Sequence, residues 1–214
     1  MAWHDGITHI VATPHSNDQY PYDRQALQET LDKLMEMTGG KPALSLGCDF
    51  HFSFDNIQNA LANPGHFTIG RTPYLLLEFS DFSLPPNVDD LLAKFINIGL
   101  RPIITHPERN PILRRTPQRV IEWVRGGVLM QVTANALTNR WGQKARAMAK
   151  WLLEQGAVHV LATDAHGVDS RPPILSAGRE EARKIAGEAV AEMLVQGNPC
   201  AILAGEEVPY RPKI

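Results

Sequence analysis

Four short apolar runs in this chain each close on a side chain of a type that can ligate metal. Ile10-Val11-Ala12-Thr13-Pro14-His15 and Ile103-Ile104-Thr105-His106 end in imidazole, Leu75-Leu76-Leu77-Glu78 ends in carboxylate, and Ala162-Thr163-Asp164-Ala165-His166 offers both. Runs this short and this apolar read as buried strands. Between them the pattern turns helical: after Asp23, a natural N-cap, Leu27, Leu31, Leu34 and Met35 recur on one face until Gly39-Gly40 ends it. Strand and helix keep alternating, which predicts an α/β fold of parallel strands joined by right-handed crossovers. In such folds functional groups gather where strands end, so four polar endings predict one shared site.

The same reading places strands over 7–12, 43–50, 74–79, 101–105, 128–133 and 158–163, and helices over 54–62, 87–99, 118–125 and 144–155. Residues 1–6 read as the end of a helix stopped by Gly6, and 175–187 and 187–197 as helix-prone segments before a Pro-rich tail. Several strand ends carrying polar chemistry predict a barrel in place of an open sheet. A length of 214 residues suits a single domain over 1–214.

Composition removes several function classes. With 21 Lys+Arg against 23 Asp+Glu the formal net charge is -2, and no basic stripe interleaved with aromatics marks a nucleic-acid surface. No apolar run reaches the length of a membrane span, and the start is not a signal peptide, so a cytoplasmic location without membrane insertion is expected. Cys48 and Cys200 form no disulfide framework and no Cys-x-x-Cys pair. Neither is followed six positions on by the arginine that a cysteine phosphatase loop needs, since Phe54 and Glu206 stand there.

His15, Asp49, His51, Glu78, His106, Asp164 and His166 all fall at or just past predicted strand ends. Imidazole with carboxylate holds borderline and hard divalent ions, and carboxylates that bridge let two ions sit close together. Arg109, three residues after His106, has a donor fork that suits a phosphate oxyanion. Phosphoester hydrolysis is the chemistry this set implies. His4, His9, His66 and His159 read as hydrogen-bonded structural residues, and His51 is open to either role. Arg171, five residues after His166, has both a structural and a phosphate-facing reading. Arg114, Arg115 and Arg119 read as a solvated basic face, and Trp141-Gly142-Gln143-Lys144 as packing and capping.

On these segments, and above all on His106-Pro107-Glu108-Arg109-Asn110, the chain resembles the polymerase-and-histidinol-phosphatase (PHP) superfamily. Within it, the chain is most similar to the bacterial protein-tyrosine phosphatases of capsular and exopolysaccharide loci. The resemblance implies a distorted (β/α)7 barrel holding a divalent cluster, manganese first with iron, zinc or magnesium as substitutes, that hydrolyses phosphotyrosine on a protein such as a bacterial tyrosine kinase. It puts His15, Glu78, His106, Asp164 and His166 on metal positions and Arg109 and Arg171 on phosphate-contacting ones. Asp49, in Gly47-Cys48-Asp49, stands where many relatives carry the glutamate of Gly-Gln-Glu. It also places a first strand with a His-x-His pair, followed by an aspartate, upstream of Met1. The expectation is therefore an N-terminally truncated barrel whose first strand is missing and whose turnover is reduced. Two alternatives are a PHP-type phosphoesterase for a small phosphomonoester, such as a sugar or histidinol phosphate, and a non-catalytic phosphotyrosine-binding remnant. The sequence fixes no oligomeric state.

Overall fold

A computed structural model of the protein describes residues 1–17 and 19–211. Eight strands run through it: β1 (His9–Ala12), β2 (His15–Ser16), β3 (Ala43–Leu46), β4 (Asp49–His51), β5 (Tyr74–Glu78), β6 (Arg101–Thr105), β7 (Leu129–Thr133) and β8 (Val160–Ala162). Strands β2-β4-β5-β6-β7-β8 form one sheet in that order and β1-β3 a second, and every pairing is parallel. The two sheets are continuous at one edge. Gly47 N–H donates to Ala12 O at 2.8 Å and Asp49 N–H to Pro14 O at 3.0 Å, so β1 runs on into β2 beside β3 and β4. The predicted single strand over 43–50 is thus two pieces, interrupted at Gly47-Cys48. Crowding marks this break: a Cβ on Gly47 would meet Val11, Ile69 and Thr13 side chains at 3.1–3.2 Å.

The connecting helices are α1 (Arg24–Thr38), α2 (Phe54–Ala62), α3 (Val88–Asn97), α4 (Pro111–Arg115), α5 (Pro117–Arg125), α6 (Ala134–Leu137), α7 (Gly142–Glu154), α8 (Ser176–Ala186), α9 (Glu188–Glu192) and α10 (Asn198–Ala204). The Asp23 carboxylate accepts from Gln25 and Ala26 N–H, and Gly39 closes α1 in the left-handed conformation, as the capping signals predicted. Residues 1–6 form a single 3-10 turn, Ala2–Asp5, closed by Gly6. The segment read as one helix over 187–197 is α9 followed by a π-helical turn, Met193–Gly197, that runs into α10.

Strand alternation builds two apolar layers. Cys48, Phe50, Leu75, Leu77, Ile104, Met130, Val132 and Leu161 face the helices and pack on side chains such as Phe95 and Leu152. On the opposite face, Tyr74, Leu76, Ile103, Leu129 and Val160 join Ile202 and Val208 in a smaller cluster. Among the described residues no strand pairs with the outer edge of β1/β2 or of β8. Both edges line a cleft of about 1320 Å³.

Candidate metal centre

The period of two that buries Cys48 and Phe50 among the helices sends Asp49 to the other face, and Glu78 and Thr105 follow Leu76 and Ile103 to that same face. Because every strand is parallel, these residues collect at one end of the sheet. His15 lies beside Asp49 in register on β2. His106 and Asp164 come just after β6 and β8, and both have positive φ, 35° and 50°. Non-glycine residues rarely hold such backbone, and two instances after strands β6 and β8, with β7 between them, mark a place where the surroundings enforce strain.

His15, Asp49 and Glu78 each present a donor atom, all within 4.8 Å of one another. His15 Nδ1 lies 3.4 Å from Asp49 Oδ2 and 3.4 Å from Glu78 Oε2, yet it is buried without a hydrogen-bond partner. His106 Nε2 approaches Glu78 Oε1 at 3.5 Å. Burial, then the charges of Glu78 and Asp164, pushes the Asp49 carboxyl up to about 8. Burial, assisted by Arg109, pushes His106 down to about 3, which keeps the imidazole neutral and able to act as a ligand. An orphaned imidazole nitrogen among crowded carboxylates is a donor set that a divalent cation fits, since its charge relieves the repulsion that burial enforces.

Beside this group lies a second. Arg109 and Arg171 both pair with Asp164 Oδ2. The Arg109 guanidinium stacks on the Trp141 indole at 3.8 Å from the ring centroid, and Arg171 lies 5.2 Å from the same ring. His166 Nδ1 is 3.1 Å from its neighbour's carbonyl, Asp164 O, and its ring is 6.0 Å from that of His15, which joins the two groups.

The loop that carries His106 and Arg109 is braced from within. Glu108 is fully buried, accepts from Thr133 N–H at 3.0 Å through Oε1, and is pushed by burial up to about 7. Asn110 caps α4 and donates to Ser80 O at 3.1 Å. Arg114, read from sequence as part of a solvated face, instead donates to the carbonyls of Glu108 and Arg109. Arg119 keeps the surface role, pairing with Asp89 at 2.8 Å. The signal for Glu108 and Asn110 is present in the motif itself, whereas the sequence around Trp141 gives only a packing and capping signal and none of its contact with Arg109.

Of the four histidines read as hydrogen-bonded structural residues, His9 and His159 are so, whereas His4 is exposed and neither it nor His66 makes a side-chain hydrogen bond among the described residues. His159 Nδ1 accepts from Met130 N–H at 3.1 Å, His9 Nε2 meets Ser45 Oγ at 2.8 Å, and His66 packs edge-on to Phe67. His51 lies opposite Glu78 in register, but its side chain makes no hydrogen bond or ion pair among the described residues.

A family model described as capsular polysaccharide synthesis, CpsB/CapC, matches residues 1–204. The chain belongs to this family. Among curated CpsB/CapC relatives, the tyrosine-protein phosphatase YwqE of Bacillus subtilis is 29% identical over 174 residues, 78% of this chain and 66% of its own length. The tyrosine-protein phosphatase CpsB of Streptococcus pneumoniae is 25% identical over 211 residues, 94% of this chain and 86% of that protein. Among solved structures, a chain from the work on YwqE and CpsB, described as unique metal-dependent tyrosine phosphatases, matches with a TM-score of 0.89 at 26% identity. The match covers 100% of this chain and 88% of that one. The α/β architecture with its parallel sheet is therefore that of a CpsB/CapC protein.

Proposed function

We propose that this chain is a metal-dependent protein-tyrosine phosphatase whose target is a phosphotyrosine-bearing bacterial tyrosine kinase controlling capsular or exopolysaccharide synthesis. One observation carries the reading: three buried or half-buried ligand groups, His15, Asp49 and Glu78, converge within 4.8 Å of one another, beside a pair of arginines that meet at Asp164. Membership of a family whose curated relatives are named tyrosine-protein phosphatases supports it.

In this reading His15, Asp49, Glu78, His106, Asp164 and His166 hold a divalent cluster, with manganese as the proposed ion. Bound there, such ions would supply an acidified water and charge neutralisation at the phosphoryl group. Arg109 and Arg171 bind phosphoryl oxygens through their guanidinium edges, and as charges become more exposed in the transition state the contact strengthens. Neutral His106 donates its lone pair without first shedding a proton. The rim of the site supports a protein-borne substrate over a small phosphomonoester. Tyr20, Phe54, Phe82 and Val168 are exposed and stand in the segments that follow β2, β4, β5 and β8, and Tyr20 and Val168 line the cleft with His15 and Asp164. Exposed apolar groups around a charged centre suit the residues flanking a phosphotyrosine.

The fold reading goes with it: a single PHP-type domain over 1–214, built as a distorted (β/α)7 barrel in which one strand position, between β1/β2 and β8, corresponds to the cleft. No described helix is long and apolar enough to cross a membrane. A kinase substrate of this kind places the enzyme in the cytoplasm.

The test compares release of phosphate, with manganese present, from a tyrosine-phosphorylated protein and from histidinol phosphate and a sugar phosphate. Preference for the phosphoprotein supports the proposal. Preference for either small ester would replace it with the phosphomonoesterase reading, and no hydrolysis of any of the three would leave the remnant reading.

A further inference from the structure

Five of the six strands in the larger sheet carry a proposed ligand or phosphate-binding group, His15 and Asp49 at the start of β2 and β4, Glu78 at the end of β5, and the others in the loops after β6 and β8. Strand β7 delivers none of them. What the segment after β7 and α6 does deliver is Trp141, the residue preceding α7, whose indole packs partly into the main apolar layer. We propose that Trp141 is a positioning residue for phosphate recognition, holding the Arg109 guanidinium by its face so that its edge is presented to the phosphoryl group. The proposal rests on the phosphatase reading above and adds to it a residue that the sequence analysis assigned to packing.

A guanidinium offers its flat face to an aromatic ring and its N–H fork, in the plane, to an oxyanion, so the two contacts do not compete. Arg109 lies 3.8 Å from the Trp141 ring centroid, with Arg171 at 5.2 Å. The remaining side-chain partner the two arginines share is Asp164. Asp164 is itself a proposed ligand, so its oxygens have another claim on them. The indole does not: it is anchored in the apolar layer and keeps the arginine plane fixed whichever partner Asp164 takes. A pre-set plane lowers the ordering cost of a two-point phosphate contact.

The test uses Trp141→Leu, Trp141→Phe, Arg109→Ala and the Trp141→Leu/Arg109→Ala double variant. Affinity for inorganic phosphate is measured by calorimetry, KM and kcat with O-phospho-L-tyrosine and manganese, and bound metal per chain. Trp141→Leu is expected to weaken phosphate and raise KM by about three- to tenfold, the range of one partly buried cation–π contact. Metal content stays at the parent's level. Trp141→Phe, which keeps a ring, recovers at least half of the loss on a logarithmic scale. In the Arg109→Ala background the leucine substitution costs nothing further, because its effect runs through that arginine. Parent-like phosphate binding in Trp141→Leu, or a penalty that persists undiminished without Arg109, would overturn the inference while leaving the phosphatase reading intact. A parent chain that neither binds phosphate nor hydrolyses O-phospho-L-tyrosine would overturn that reading, and this inference with it.

Discussion

The residues that matter most here are those whose environment is hostile to their own charge. Asp49 and Glu78 sit close together with His15 between them, and burial raises the energy of every carboxylate that has no cation nearby. Arg109 provides the sharpest residue-scale test. Arg109→Lys retains a positive charge but loses the planar fork and most of the stacking on Trp141. Phosphotyrosine turnover should fall more than about tenfold, or about 1.4 kcal/mol, with bound metal unchanged. Turnover equal to the parent would make Arg109 a structural partner of Asp164 and nothing more. Much of the candidate site was legible in the sequence because its ligands are tied to strand ends, and a strand end is a local signal. Trp141 was not legible, because its role depends on where Arg109 comes from β6, a relation between segments that no window of sequence contains.

Among the elements, agreement between sequence and structure follows how much each run has to bury. Strand β6 occupies the predicted 101–105, since its central position covers both faces with apolar neighbours. The run over 43–50, which reads as one strand, divides into β3 and β4. Its period of two runs through without interruption, Leu44, Leu46, Cys48 and Phe50 alternating with Ser45, Gly47 and Asp49, and the crowding of Gly47 against Val11, Ile69 and Thr13 marks where it divides. Helix packing supplies a prediction at this scale. In a helix Gly→Ala ordinarily stabilises by up to about 1 kcal/mol. At Gly178 of α8 the added Cβ would lie 2.5 Å from Ala134 Cβ and 2.7 Å from Ala134 Cα in α6. The clash is with backbone and a side chain that has nowhere to turn, and overpacking of this kind costs about 1–3 kcal/mol. The clash outweighs the propensity gain. Gly178→Ala should therefore lower the thermal midpoint by a few degrees, and a rise in the midpoint would show that α6 and α8 separate freely.

For the molecule as a whole, the buried titratable groups set a pH dependence whose sign can be worked out. In the metal-free chain Asp49 is raised from 3.8 to about 8 and Glu108 from 4.5 to about 7, mainly by burial. His106 is lowered from 6.5 to about 3 and His159 from 6.5 to about 4, again by burial. A raised carboxyl keeps a proton in the folded chain that the unfolded chain has lost, so stability falls as pH rises through that window. A depressed histidine does the reverse, and stability rises up to its unfolded value of 6.5. The two kinds offset each other below about pH 6.5. Above it only the carboxyls act, so the metal-free chain should lose stability from about pH 6.5 to about 8. Thermal melts of chelator-treated protein check this, and Asp49→Asn should flatten the upper part of the fall. A melting temperature that climbs across the same interval would contradict the assignment.

The claim that joins these scales is that the His15, Asp49 and Glu78 group holds catalytic metal. Its most direct test follows phosphate release from a tyrosine-phosphorylated peptide by the chelator-treated chain as manganese is added back, with bound metal counted in the same samples. The account predicts no turnover without metal, recovery that tracks the metal bound, and loss of most of both in Glu78→Gln, whose amide offers one acceptor oxygen where the carboxylate offers two. Full turnover in the metal-free chain, or parent-like metal content and turnover in Glu78→Gln, would contradict it.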